Sequence, residues 1–285
     1  MPELNYHHLR YFHAVAEAGN LTRAAEALNL APSALSAQIR ALEARLGQPL
    51  FARDGRRLAL TEAGRIALAH AQTIFGAGEE LMATLAAKAA PRRLAVGALA
   101  TLSRNFQLAF LRPVLGRPGV DVVLRSGGMA ELLRGLEALT LDVVLTSDPP
   151  AGPGFRAHRL AEEPVSLIGR PHLLAGHADL AARLGAAPLI LPGPESGLRA
   201  GFEALRARLG LRLTIAAEVD DMAMMRLLAR EGVGIAVLPP IVVRDELASS
   251  ELLEAERLPG LVQAFHAVTL PRRFPNPLLA DLLRG

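Results

Sequence analysis

Residues 31–47 read APSALSAQIRALEARLG. Leu35, Ile39, Leu42 and Leu46 recur at spacings of three and four, which on a helix makes one apolar stripe. Ser33, Ser36, Ala37 and Arg40 fall roughly 140° away from that stripe at 100° per residue. Pro32 suits the first helical position, and Gly47 suits the residue that ends the helix. The stripe anchors the helix, while its exposed first turns carry almost no side chain. That is the form expected where something bulky closes on the N-terminal end.

The segments on either side give this helix a context. Upstream, Leu9, Phe12, Val15 and Ala16 keep a helical period that ends near Gly19. Thr22 is the expected N-cap of a short second helix, Arg23 to Leu28. Asn29-Leu30-Ala31 is then a tight link without the usual Gly, and the whole is a helix-turn-helix. In that motif the second helix enters the DNA major groove by its N-terminal end. Ser33 and Ser36 reach base edges or phosphates, Ala37 and the Pro32 ring pack on thymine methyls, and Arg40 is placed for phosphate. Thr22 and Arg23 are expected at the DNA backbone.

Downstream, PLFARDGRRLAL (49–60) has short apolar arms around Asp54-Gly55 and reads as a hairpin. Arg53, Arg56 and Arg57 flank that turn; alone they read equally as a solvated surface loop, and beside the helix pair they read as a basic wing tip that adds salt-dependent phosphate contacts. TEAG (61–64) caps a long helix from Glu62 to Lys88, which Pro91 stops, and Gly76 with Gly78 is expected to bend it. On this helix Ile66, His70, Ile74, Leu81 and Leu85 lie on one side, with Leu68, Phe75 and Met82 beside them. The face packs either on its own chain or on a second copy. The second is expected, through Ile74, Leu81 and Leu85, because a lone connector has little to bury against.

The 285 residues are ample for two or three domains, and 51% hydrophobic with 21% charged residues builds real cores. The net charge of +3 sits wholly in residues 1–93, with eleven basic and eight acidic residues; the remainder is balanced at twenty each. That permits nucleic-acid binding without demanding it. There are no cysteines, so thiolate metal sites, disulfides and Cys nucleophiles are excluded. The N-terminal MPELNYHHLRYF has no apolar signal core, and no run reaches the roughly 18–20 apolar residues of a membrane helix. A cytoplasmic protein with no membrane partner is expected.

From Arg92 onward, strand-like runs alternate with helical stretches, about eight strands in all: a mostly parallel α/β arrangement, enough for two small sheets. The late strand Ala264 to Leu270 and the last helix are expected to fold back on the first sheet. Two lobes joined by crossing strands place a ligand cleft off the carboxyl ends of strands. Thr101, Leu102 and Ser103 follow the first strand, Ser126 and Gly127 the second, and Thr146 and Ser147 the third. Glu195 and Ser196 follow LILPG, and Pro239 ends a later strand. Each Ser or Thr alone reads as an N-cap; as a set they read as a cleft. Met222, Met224 and Met225 read as packing. His7, His8, His13 and His70 lack metal-ligand spacing, GPESG (193–197) is not a nucleophile elbow, and no phosphate loop or dinucleotide fingerprint occurs. No catalytic residue, metal or cofactor is expected.

Residues 5–88, with LRYFHAVAEAGNLTRAAEALNLAPSALSAQIRALEARLGQPLFARDGRRLALTEAG at their centre, resemble the winged helix-turn-helix of LysR-type transcriptional regulators. LNYHHLRYF and GRRLALTEAG are most similar to the subgroup that activates a sodium/proton antiporter gene. The family often has a polar residue where Pro32 and Ala37 stand, which moves base readout here toward Ser33, Ser36, methyl contacts and DNA shape. The resemblance implies a winged helix-turn-helix (1–60), a linker helix (61–90) and a two-lobed effector-binding domain similar to periplasmic binding proteins. That domain would span 91–285, with lobe I near 91–161 and 265–285 and lobe II near 162–264. It further implies a small-molecule or ion effector in the cleft, homodimers joined as homotetramers, a pseudo-palindromic DNA site, and RNA polymerase as a further partner. An enzyme carrying a DNA-binding domain, or an effector-independent DNA-binding protein, is the alternative.

Overall fold

Asn5 opens the first helix by accepting hydrogen bonds from the His7 and His8 amides, and Gly19, at φ 61°, closes it. The computed structural model describes residues 4–54, 57–85, 92–152, 154–176 and 179–283; for residues 53, 54, 57, 80, 83–85 and 186 it describes the backbone alone. The chain divides into two compact units, one of Met1–Lys88 with Glu137–Thr140 and one of Ala89–Leu136 with Leu141–Gly285.

The N-terminal unit holds α1 (Tyr6–Ala18), α2 (Leu21–Ala27), α3 (Pro32–Leu46), the hairpin β1 (Phe51–Asp54) and β2 (Arg57–Leu60), and α4 (Glu62–Leu85). Leu9, Phe12 and Val15 of α1 and Leu35, Ile39 and Leu42 of α3 are buried as their spacing requires. Fully burying one such side chain contributes about 2 kcal/mol. The cap of α2 differs from expectation. Asn20, not Thr22, accepts the Arg23 amide at 3.0 Å, so Thr22 lies inside the first turn. The α2–α3 link manages without Gly because Asn29 itself takes φ 54°, which a short amide side chain tolerates. Leu46 departs from the stripe and is 43% exposed, since Gly47 (φ 70°) turns the chain away and no described residue buries it. α4 runs as unbroken helix through Gly76 and Gly78.

The C-terminal unit is built on one eight-stranded sheet, where two small sheets were expected. Its strands are β3 (Arg92–Leu99), β4 (Val120–Gly127), β5 (Val143–Thr146), β6 (Arg156–Gly169), β7 (Leu189–Pro192), β8 (Ile215–Val219), β9 (Ile235–Leu238) and β10 (Leu253–Thr269), in the order β4-β3-β5-β10-β6-β9-β7-β8. β3 pairs parallel with β4 and β5, and β7 pairs parallel with β8 and β9. The two parallel groups are joined by β6 and β10, which pair antiparallel from Leu253/Gly169 to Thr269/Arg156. These strands outrun the apolar segments that announced them. Their added lengths carry RAHRLAEE (156–163) and LEAERLPG (253–260), which have no apolar run to read.

The helices of this unit are α5 (Arg104–Leu111), α6 (Met129–Glu137), α7 (Pro171–Leu174), α8 (Leu180–Ala186), α9 (Gly197–Leu209), α10 (Met222–Arg230), α11 (Arg244–Ala248) and α12 (Pro277–Leu282). In lobe I, Leu94, Val96, Phe106 and Leu145 share a core with Phe265, Leu278, Leu279 and Leu282, and Phe106 stacks on Phe265 at 4.2 Å between ring centroids. In lobe II, Leu189, Leu191, Phe202, Leu205 and Val237 form the core on one face and Met225, Ala229 and Leu238 on the other. Ile241 packs against the cores of both lobes.

Candidate nucleic-acid interface and effector cleft

Helix α3 offers its N-terminal face to solvent. Pro32, Ser33, Ala37 and Arg40 are exposed and Ser36 is half-buried. Ala31, the N-cap, makes no side-chain hydrogen bond, so the first-turn amides of α3 carry no side-chain cap from that residue. On α2, Thr22 and Arg23 are exposed, and the Arg23 guanidinium donates to the Ala18 carbonyl. Arg53 and Arg57 lie on the two wing strands, Arg53 opposite Leu58 and Arg57 opposite Asp54; Arg56 lies outside the described residues.

Glu43, in the last turn of α3, is a residue the sequence analysis did not single out. In the structure its carbonyl accepts from the Gly47 amide and, at 3.3 Å, from Gln48, and its Oε1 accepts from Leu50 at 2.8 Å and Phe51 at 3.2 Å. One signal could have found it. A carboxylate in the last turns of a helix opposes the helix dipole, so its presence there asks for another reason. On the far side of the same segment, Thr61 Oγ1 donates to Pro49 O at 2.7 Å and accepts from Gly64 N at 2.9 Å, while Thr61 N donates to Leu50 O at 3.0 Å.

The linker helix α4 divides its apolar residues between two tasks. Leu68, Ala71, Ile74 and Phe75 pack on the core of their own unit beside Phe12 and Leu50. Ile74 is therefore committed within its own chain, at least in part, against the expectation that it serves a second copy. Ile66, Leu81 and Met82 are exposed, and the Leu85 side chain lies outside the description.

In the C-terminal unit, the candidate cleft residues gather where the lobes meet. Thr101 O accepts from Met222 N at 3.3 Å, Asn105 Nδ2 donates to Val242 O at 3.2 Å, and Asp148 Oδ1 lies 3.7 Å from the place a Cβ on Gly197 would occupy. The segments Thr101–Ser103 and Thr146–Asp148 of lobe I thus face Ser196–Gly197, Asp221–Met222 and Pro239–Val242 of lobe II. Ser126 and Gly127 stand one strand further out, on β4, with Ser126 Oγ accepting from Arg104 at 3.2 Å.

The hydroxyls here have local partners. Ser103 is buried and caps α5 through Phe106 N, and Ser196 caps α9 through Leu198 N. Thr146, fully buried, closes a turn by donating to Asp148 O and accepting from Asp148 N; Ser147 donates to Asp148 Oδ2. Leu102 is a correction. Its side chain is 1% exposed inside the lobe I core, and Gln107 takes its carbonyl, so it presents no side chain to a ligand. Pro239 is buried and precedes the single turn Pro240–Val243, and Glu195 is exposed. The helix N-termini of α5, α9 and α10 come together at this seam, an arrangement that offers backbone N–H groups to polar or anionic atoms. Among the described residues no three His, Asp or Glu could hold a metal ion, and no helix is long and apolar enough to cross a membrane.

Two family models match this chain: the bacterial regulatory helix-turn-helix protein, lysR family, over residues 6–65, and the LysR substrate binding domain over 87–284. The chain belongs to the LysR family of DNA-binding transcriptional regulators. As a LysR-family member it is a regulator with an effector-binding domain, and its relatives are transcriptional regulators, not enzymes. It is 32% identical over 253 residues to the RuBisCO operon transcriptional regulator of Acidithiobacillus ferrooxidans, covering 86% of this chain and 81% of that protein. It is 29% identical to the transcriptional activator protein NhaR of Escherichia coli K12, covering 97% of this chain and 93% of that one. Among solved structures it matches CbnR, a LysR family regulator, at TM-score 0.70 and 26% identity over 98% of both chains. Full-length CbnR complexed with its target DNA matches at TM-score 0.69 and 27% identity, again over 98% of both.

Proposed function

We propose that this LysR-family regulator reads a promoter through the N-terminal end of α3, holds the flanking phosphates with the wing arginines, and answers a small effector bound between the two lobes. What carries the reading is the exposed face of Pro32, Ser33, Ala37 and Arg40 backed by buried Leu35, Ile39 and Leu42. Ser33 and Ser36 meet base edges or phosphates, Arg40, Arg53, Arg56 and Arg57 meet phosphates, and Thr22 and Arg23 approach the DNA backbone. The effector is a small molecule or ion held by Thr101, Ser103, Ser126, Gly127, Thr146, Ser147, Glu195, Ser196 and the Pro239 turn. It acts by biasing how the lobes or subunits pack.

The exposed Ile66, Leu81 and Met82 of α4 support pairing with a second copy, Leu81 and Leu85 contributing, and the pairs join as tetramers. Two-fold symmetry then calls for a pseudo-palindromic site. The regulator works where the DNA is, in the cytoplasm, and passes its state to RNA polymerase. The likeness carried by LNYHHLRYF and GRRLALTEAG favours a sodium/proton antiporter gene or an adjacent operon as target. The 32% identical relative, named for a RuBisCO operon, supports such an operon as the second reading.

A gel-shift on the DNA upstream of its own gene tests the interface. Ser33→Glu with Ser36→Glu puts two carboxylates against the groove and is expected to weaken binding more than about 100-fold, with melting unchanged. Unchanged binding overturns the assignment of α3. Repeating the assay with candidate effectors separates a responsive regulator from an effector-independent one.

A further inference from the structure

The wing and the recognition helix are separate elements that must meet one DNA duplex together, so something has to fix the angle between them. The chain leaves α3 at Leu46 and enters β1 at Phe51, with only Gly47–Leu50 between. Six backbone groups at this crossing end on one of two residues. Glu43 receives the amides of Gly47 and Gln48 on its carbonyl and those of Leu50 and Phe51 on Oε1. Thr61 donates its hydroxyl to Pro49 O and its amide to Leu50 O. Leu50 itself is buried in the core, so a Leu50 amide that lost Glu43 would have little water to turn to.

We propose that Glu43 is the positioning residue of the DNA interface: its carboxylate clamps the base of the wing to the recognition helix and sets where the wing arginines reach the phosphates. The inference rests on the wing and α3 contacting DNA as proposed above. Its physical content is a lever. Two amides on a single oxygen define a pivot at Leu50–Phe51, and Arg53 lies two residues further along β1, about 7 Å away in a strand. A small rotation at the pivot moves the wing tip away from a phosphate while leaving the buried stripe of α3 untouched. The bonds to charged Oε1 are of the stronger, charge-assisted kind, and an amide oxygen in its place can still accept.

A clamp that only stabilised the fold would alter melting. A clamp that aims the wing also alters how many phosphates are neutralised, which is read from salt. Binding of the full-length chain to a duplex selected from a randomised pool is measured by fluorescence anisotropy across a series of NaCl concentrations. Each lost phosphate contact flattens the slope of log K against log salt by about 0.9. Replacing Arg53, Arg56 and Arg57 together with Ala sets the scale for complete loss of the wing. Glu43→Ala is expected to flatten the slope by about one contact or more while the chain stays cooperatively folded at the assay temperature. Glu43→Gln is expected to restore most of the slope, and Glu43→Ala added to the triple variant is expected to flatten it no further. Should Glu43→Ala fail to fold, Glu43→Asp withdraws the same oxygen by one methylene and is expected to flatten the slope likewise. An unchanged slope in the folded Ala or Asp variant, a Gln variant as defective as Ala, or additivity with the triple variant overturns the proposal. A triple variant with the wild-type slope removes the wing contact itself, and the role of Glu43 with it. Loss of all binding in Ser33→Glu/Ser36→Glu still reports separately on α3.

Discussion

Asp142 and Arg272 are 130 positions apart in the chain and are joined at 3.0 Å through Oδ1 and Nη1, both side chains largely withdrawn from solvent. Asp142 Oδ2 also accepts from Ala95 N at 2.8 Å and Asn276 Nδ2 at 3.1 Å, and Arg272 donates again to Leu141 O. One carboxylate thus ties β3 to the segment that leads into α12. Asp142→Ala leaves the buried Ala95 amide and the guanidinium without that acceptor, at an expected cost of about 3 kcal/mol. A lower urea midpoint, with faster hydrogen exchange at Ala95, is the measurement.

Gly64 sits in the first turn of α4, where a Cβ would collide with the Leu50 carbonyl. That oxygen cannot retreat, because Thr61 N holds it. Gly64→Ala is expected to destabilise the winged helix by about 2–3 kcal/mol, by overpacking and not by lost flexibility. A thermal melt shows it; a variant as stable as the parent would mean that the start of α4 can move away from the Leu50 carbonyl at little cost.

Leu81→Asp with Met82→Asp places two charges on the exposed stretch of α4, 56% and 68% exposed in the single chain. If that stretch meets a second copy, light scattering after gel filtration reports monomer where the parent reports dimer or tetramer. The melting of the single chain should be nearly unaffected, since surface changes of this kind usually lie within about 0.5 kcal/mol.

Glu203 gives the effector domain an acid-side dependence. Burial pushes its carboxyl up, but hydrogen bonds from Arg199 and Arg206, aided by their charges, outweigh that and hold it below the ordinary value. Arg199, which burial would lower, is in turn raised by hydrogen bonds to Glu218 and Glu203. A depressed carboxylate adds stability that is fully present above its unfolded pKa, roughly 4.3, and is lost as pH falls through the folded one. Urea midpoints of parent and Glu203→Gln should therefore converge as pH drops from about 5 to about 3. The difference at neutral pH is modest, since Glu203 is 32% exposed and solvent screens the network.

The winged helix was legible because its information is local. A stripe of Leu35, Ile39 and Leu42, a Pro32 start and a Gly47 stop all act within one helix. The misread cap shows the limit of that. Asn20 and Thr22 are both good caps two residues apart, and the choice between them lies in backbone angles, with Asn20 extended at φ −152°. Leu46 and Ile74 were misassigned for a different reason, since which side of a helix is covered depends on what the rest of the chain brings there. The single sheet was hidden by the polar stretches of β6 and β10, whose strand character comes from pairing with each other. At the candidate cleft the same Ser and Thr residues serve as caps and as lining. Composition and spacing could therefore point to the place but not to which hydroxyls a ligand would find available.

Because β10 crosses back into lobe I, the core around Leu94, Val96 and Leu145 is completed only by Phe265, Leu278, Leu279 and Leu282. Among the described residues, the lobe II core that holds Phe202 and Val237 draws on none beyond Leu261. On a ribosome adding about 5–20 residues per second, the strands of lobe I emerge and then wait on the order of 10 seconds for their closing segment. The lobe made first is the last to close, and a chaperone meeting this chain during synthesis would find β3, β4 and β5 still open while the lobe that follows them is already folding.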